Sequence, residues 1–131
     1  MEPYRIMLAD DHELLRSGIR KLLESIENYS VIGEAGDGLE LLEQLKRVKP
    51  DIAIIDIKMP NLDGLEATRE IKRNYPEVKV LILTMHKEKE YRDQALSAGA
   101  EGYLLKEDVD SKLLDAVATI RSGGGYLSTD R

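Results

Sequence analysis

The chain has 131 residues, 42% of them hydrophobic, which is enough for one compact core and too few for two domains. It carries no cysteine and no run of about 18 apolar residues that could span a bilayer, and Met1-Glu2-Pro3-Tyr4-Arg5 leads straight into a strand-like segment rather than a secretory signal, so a soluble, cytoplasmic protein is expected. Twenty-five acidic against nineteen basic residues give a formal charge of −6, which repels nucleic acid and anionic membrane, and six tyrosines without tryptophan or phenylalanine make a poor stacking platform for bases.

Apolar runs of strand length alternate with stretches of helical period, the pattern of βα units around a parallel sheet. The first strand is predicted at Tyr4–Ala9, followed by a helix whose stripe is Leu15, Ile19, Leu22, Leu23 and Ile26. A second strand at Ser30–Ala35 leads, through the turn Gly36-Asp37-Gly38, to a stripe of Leu41, Leu42, Leu45 and Val48. The third strand, Asp51–Ile55, and the fourth, Lys79–Thr84, are apolar without alternation, as expected where helices cover both faces of a sheet. Between them a helix starts near Asp63-Gly64 and buries Leu65, Thr68 and Ile71, while Pro50, Pro60 and Pro76 fall in loops. A fourth helix is predicted over roughly 88–98, a fifth strand at Gly102–Leu105, and a fifth helix carrying Val109, Leu113, Val117 and Ile120.

The predicted fold class is therefore a doubly wound (βα)5 sheet of the flavodoxin-like type, strand order 2-1-3-4-5, in a single domain covering residues 1–121. After Ile120 the pattern stops at Arg121-Ser122-Gly123-Gly124-Gly125, a flexible triplet suited to a domain boundary. Residues 122–131 are expected to begin a linker toward an effector domain that is absent from this sequence.

Four of the five strands run into residues that handle phosphate or metal: Asp10-Asp11 after the first, Asp56 after the third, Thr84 closing the fourth, Lys106 after the fifth. In an open parallel sheet, ligands bind beyond the carboxyl ends of the strands where the order reverses, and strands one and three are neighbours at that reversal. Three crowded carboxylates repel one another by roughly 4 kcal/mol per pair at 4 Å and an effective dielectric near 20. A hard divalent cation relieves this, and Mg²⁺ keeps several waters while leaving room for a phosphate oxygen. An aspartate carboxylate can itself attack phosphorus to form an acyl phosphate, and Asp56, central in the predicted sheet, is the candidate. Phosphoryl transfer then needs donors opposite the metal, for which Lys106 offers a point charge and Thr84 a hydroxyl.

These residues resemble the receiver domains of two-component response regulators. The resemblance runs from residue 4 to about 121 and rests on Asp10-Asp11, Asp56 followed by Met59-Pro60 and Asp63-Gly64, Thr84 in Leu83-Thr84-Met85, and Tyr103-Leu104-Leu105-Lys106. Leu83-Thr84-Met85-His86 and Gly99–Lys106 look most like the subfamily whose receivers precede a helix-turn-helix DNA-binding domain of the LuxR/NarL type. The resemblance implies a sensor histidine kinase as phosphodonor to Asp56, Mg²⁺ held by Asp10, Asp11, Asp56 and the backbone carbonyl of Lys58, and Lys106 pairing with the acyl phosphate. It also implies that Thr84 moves toward the phosphate while Tyr103 turns inward behind it. A homodimer is plausible, since such switches act on paired DNA half-sites, and DNA would be met only through the absent domain. On this reading the chain is a switch that phosphorylates and dephosphorylates itself, not a turnover enzyme.

Taken singly, the same residues have plainer roles. Asp10 or Asp11 could cap the first helix, Thr84 could merely end a strand, and Tyr103 could be a half-buried packing residue. His12 and His86 are read as solvated loop or helix-start residues, since no second histidine is spaced for a ligand pair. A phosphatase of the haloacid dehalogenase type would place an aspartate two residues after the nucleophile, where this chain has Lys58. A flavin-binding module would want a hydroxyl- and glycine-rich loop where it has Asp-Asp-His-Glu. An interaction domain of the same fold that is never phosphorylated is the third rival.

Overall fold

The computed structural model describes residues 2–127. A six-stranded, wholly parallel sheet has the order β2-β1-β3-β4-β5-β6, with β1 Tyr4–Ala9, β2 Tyr29–Ala35, β3 Ile52–Asp56, β4 Lys79–Thr84, β5 Gly102–Leu105 and β6 Tyr126–Leu127. The helices are α1 Glu13–Glu24, α2 Gly38–Leu45, α3 Gly64–Asn74, α4 Lys89–Ser97 and α5 Val109–Arg121, with a short 3₁₀ turn over Lys106–Asp108 before α5. The five predicted strands and five helices are all present, and their ends differ by a residue or two.

Helices α1 and α5 cover one face and α2, α3 and α4 the other. Ile6, Leu8, Ile52, Ile54, Leu81 and Leu83 pack against Ile19, Leu23, Leu113, Val117 and Ile120. The intervening strand residues Met7, Ala53, Ile55, Val80 and Ile82 pack against Leu41, Leu45, Leu65, Ile71 and Ala95. Both faces of β3 and β4 are thus buried, which is why these strands read as unbroken apolar runs.

The structure corrects two sequence expectations. Ile26 lies past the end of α1 and is exposed rather than facing the sheet, because the chain turns into β2 through Asn28 at φ 75°. The segment after α5 is not an unpaired linker as far as Leu127: Gly123, at φ 100°, reverses the chain, and Tyr126 N–H donates to the Glu101 carbonyl at 3.1 Å to start β6. The order 2-1-3-4-5 is therefore extended by a sixth strand on β5. The glycine triplet signals the turn, but a two-residue strand is too short to carry a period. Residues 128–131 of the predicted linker lie outside the described residues.

Asp63 caps α3, its carboxylate accepting from Glu66 N–H at 2.9 Å, and Gly64 follows against the floor of the site. A Cβ on Gly64 would lie 2.0 Å from the Asp56 carbonyl oxygen. Gly64→Ala is accordingly expected to destabilise the fold by at least about 3 kcal/mol, measured by urea unfolding. A change below about 1 kcal/mol would mean that the α3 start and the Asp56 backbone are not locked together.

Candidate functional site

Strand register assembles the site. Ala9 pairs with Ile55 across β1 and β3, so the next residues, Asp10 and Asp56, emerge level at the point where the strand order reverses. Asp56 pairs with Leu83 and Thr84 with Leu105, which brings Thr84 and Lys106 to the same rim.

Asp10 and Asp56 are 3% and 4% exposed, and the Lys106 ammonium lies 3.0 Å from Asp10 Oδ2 and 3.2 Å from Asp56 Oδ2. One lysine thus faces two buried carboxylates. Asp10 Oδ2 accepts no hydrogen bond, and its partner is the charge of Lys106 at 3.0 Å. Burial pushes the Asp56 carboxyl above the usual aspartate range; Lys106 opposes that shift, and the charges of Asp10 and then Asp11 reinforce it. One lysine does not neutralise these acids, and a buried carboxylate oxygen without a hydrogen bond beside a carboxyl held back from ionising fits a divalent ion. Asp10, Asp11, His12 and Asp56 each offer a ligand atom, all within 4.8 Å of one another.

Asp10 plays its plainer part as well. Its Oδ1 accepts the backbone N–H of His12 at 2.8 Å at the entrance to α1, so the local turn and the acidic site use one side chain. Arg16 secures this turn from α1: its guanidinium donates to the Asp10 and Ala35 carbonyls and its Nε to Glu34 Oε1 at 2.8 Å. Sequence reasoning passed over Arg16, whose partner Glu34 is on β2.

Thr84, fully buried, accepts the backbone N–H of His86 on its hydroxyl at 3.1 Å. Tyr103, 1% exposed, donates its hydroxyl to the His86 carbonyl at 2.7 Å, and burial raises its pKa to about 12, so it remains a donor at neutral pH. The backbone N–H and carbonyl of His86, on the peptide groups either side of its Cα, therefore join Thr84 to Tyr103, a link that neither residue's position in the sequence reveals. Lys58 is exposed beside Asp56, its ammonium 5.3 Å from the centre of the Tyr91 ring. Together with Asp56, Thr84, Met85, His86, His12 and Lys106 it lines a crevice of about 50 Å³ that admits only a small group.

His12 departs from expectation. It does occupy the N-cap position of α1, but its Nδ1 lies 3.1 Å from Asp10 Oδ1 and 3.4 Å from Asp11 Oδ1, inside the acidic group rather than away from it.

A doubly wound sheet with acids, a hydroxyl and a lysine at its switch point defines a phosphate- or cation-handling α/β domain. Residues 6–118 match the family model of the response regulator receiver domain, and the chain belongs to that family of signalling switches. It is 38% identical over 123 residues to the transcriptional regulatory protein DegU of Brevibacillus brevis, covering 94% of this chain and 52% of the relative. The chain spans about half the length of the curated relatives it matches. Among solved structures, a LuxR-family two-component response regulator from an Aurantimonas species superposes with a TM-score of 0.92 at 36% identity, covering 97% of this chain and 91% of the other. The isolated receiver domain of RcsB from Salmonella enterica serovar Typhimurium, solved with the phosphomimetic BeF3−, gives 0.90 at 31% identity, covering 97% and 94%. No helix among the described residues is long and apolar enough to cross a membrane.

Proposed function

We propose that Asp56 accepts a phosphoryl group from the phosphohistidine of a sensor kinase, with Mg²⁺ held by Asp10, Asp11, Asp56 and the Lys58 carbonyl. The observation that carries this is the convergence of Asp10 and Asp56 on Lys106, at 3.0 and 3.2 Å, at a buried strand edge where Asp10 Oδ2 accepts no hydrogen bond. An Asp56 carboxylate oxygen attacks phosphorus, the O–P bond forms as the N–P bond breaks, and the electron pair returns to the imidazole nitrogen, which takes up a proton. The bound cation would supply neutralising charge for the phosphoryl oxygens. Lys106 turns from Asp56 Oδ2 to the new phosphate, and Thr84 donates its hydroxyl to it. Thr84 then releases the His86 N–H, and the His86 carbonyl carries Tyr103 with it, so the loop after β4, α4 and β5 repack as one element.

The domain switches itself on this reading, adding and losing its own phosphate without turning over a substrate. Residues beyond 121 lead, after β6, to a helix-turn-helix effector domain that controls transcription, a homodimer meets paired half-sites, and the kinase, this domain and DNA share the cytoplasm. Incubating the protein with acetyl phosphate and Mg²⁺ and reading intact mass tests the core of the proposal. One added phosphoryl group is expected, and none when EDTA replaces Mg²⁺; an unchanged mass with Mg²⁺ present would rule the proposal out.

The kinase's docking surface is the apolar groove beside the site. It has a volume of about 890 Å³ and is lined by Leu14, Leu15, Ile19, Leu22, Met85 and Val109, with Lys106 and His12 at its edge. Leu14 is 88% and Met85 72% exposed, unusual for large apolar side chains unless a partner covers them. Leu14→Glu is expected to slow phosphotransfer from the kinase by on the order of tenfold or more while labelling by acetyl phosphate is unchanged. Equal loss with both donors would move the defect into the site itself.

A further inference from the structure

The turn Gly36-Asp37-Gly38, plain punctuation in the sequence, grips the loop that leaves Asp56. Asp37 divides its carboxylate between two donors: Oδ1 accepts the Glu40 N–H at 2.8 Å and caps α2, while Oδ2 accepts the side-chain amide of Asn61 at 2.7 Å. Glu40 in turn accepts the Gly36 N–H at 2.7 Å, which fixes the helix start from its other side. Gly38 makes a second tie. Its N–H donates to the Leu62 carbonyl at 3.1 Å, and a Cβ there would lie 2.4 Å from that oxygen. Two adjacent residues of one turn thus hold two adjacent residues of the β3–α3 loop.

That loop has little else to hold it. Gly64 N–H closes it on the Ile57 carbonyl at 2.8 Å, but of residues 58–63 only Met59 is buried. Asn61 sits at φ 69°, a left-handed conformation shared by no other described non-glycine residue except Asn28. Such a conformation persists where its surroundings impose it, and here the Asp37 carboxylate does so. Lys58, whose carbonyl belongs to the ligand set proposed above, lies in this exposed stretch. Mg²⁺ accepts ligands only close to 2.0–2.1 Å in a near-octahedral array, so a carbonyl on a loose loop would have to be ordered at the moment of binding.

We infer that Asp37 and Asn61 are positioning residues for the divalent ion: their hydrogen bond clasps the loop after β3 to the start of α2 and holds the Lys58 carbonyl ready. This rests on the metal-binding reading above and adds the two residues that keep its ligand set assembled. The Glu40 N–H and then the Asn61 amide hold the Asp37 carboxyl below the usual aspartate range, so the acceptor of the clasp stays charged at neutral pH.

The test is isothermal titration with MgCl2 of wild type, Asn61→Gly, Asp37→Ser and the double variant. Glycine keeps the left-handed turn and loses the amide; serine keeps the cap on α2 and loses the second oxygen. Each change therefore opens the clasp within an intact fold, as circular dichroism would verify. Each should weaken Mg²⁺ binding on the order of tenfold, and the double variant should be no weaker than either, because both changes remove the same bond. Asp37→Asn, whose amide can donate to a flipped Asn61, should stay closer to wild type than Asp37→Ser. Asn28→Gly, at the other left-handed asparagine, should match wild type. In labelling by acetyl phosphate, the Mg²⁺ concentration at half-maximal rate should rise by the same factor, with the rate regained at high Mg²⁺. Wild-type Mg²⁺ affinity in Asn61→Gly and Asp37→Ser, or losses that add in the double variant, would overturn the clasp and leave the phosphoacceptor reading intact. Absence of Mg²⁺ binding by wild type would overturn both.

Discussion

Asp56→Asn is expected to abolish acyl-phosphate formation while raising, not lowering, the thermal midpoint of the domain. In the folded chain, burial lifts the Asp56 carboxyl above its ordinary value, with Lys106 only partly offsetting the loss of water. The folded state thus holds the Asp56 proton more tightly than the unfolded state does. As the pH rises from the unfolded aspartate value of about 3.9 through the higher folded value, stability is lost. Asparagine has no charge to desolvate and leaves Lys106 paired with Asp10 at 3.0 Å. A midpoint higher by about 4 °C corresponds to 1 kcal/mol for a domain of this size, and the gain should be smaller at pH 4 than at pH 7, since wild-type Asp56 takes up its proton as the pH falls. Thermal scans at both values, in EDTA, check the sign; a variant less stable than wild type at pH 7 would show that Asp56 is held ionised by its neighbours after all.

Lys106→Ala should have the opposite effect on stability and a different one on signalling. Its ammonium is the cation shared by Asp10 and Asp56, and its removal leaves two buried carboxylates facing each other with Asp11 beside them. Breaking such a buried pair costs about 3–5 kcal/mol. In EDTA the variant should lose most of that amount, and Mg²⁺ should restore more stability to it than to wild type, since the ion replaces the missing charge. With acetyl phosphate it should still gain a phosphoryl group, because Asp56 and the metal ligands are intact. The amide signals of Thr84, His86 and Tyr103 should then shift far less on phosphorylation than in wild type. Shifts of wild-type size would show that Lys106 has no part in passing the change from Asp56 to the His86 backbone.

Much of this geometry was legible in the sequence because it depends on strand ends. Unbroken apolar runs at Ile52–Ile55 and Val80–Leu83 marked a sheet covered on both faces, and a parallel sheet of that kind delivers whatever follows each strand to one rim. Asp10, Asp56, Thr84 and Lys106 needed no more than that to be placed together. What stayed hidden depends on directions that no period encodes. His12 looked like a solvated helix-start residue, and it is one by exposure, yet its ring leans back over Asp10 and Asp11. Arg16 reads as an ordinary charge on α1, and only the fold brings Glu34 and the Asp10 carbonyl to it. The Thr84–His86–Tyr103 link runs through the backbone N–H and carbonyl of His86, which carry no sequence signature at all. Strand β6 was missed for a related reason: its pairing with β5 is set by a turn at Gly123 rather than by its own two residues.

The most direct test of Asp56 as phosphoacceptor is chemical. An acyl phosphate is reduced by borohydride to the alcohol, whereas a free carboxylate is not, so labelling with acetyl phosphate and Mg²⁺, reduction, and peptide mass mapping reports the modified position itself. Homoserine at position 56 is the predicted result. Homoserine at position 10 or 11, or at no aspartate, would contradict the account.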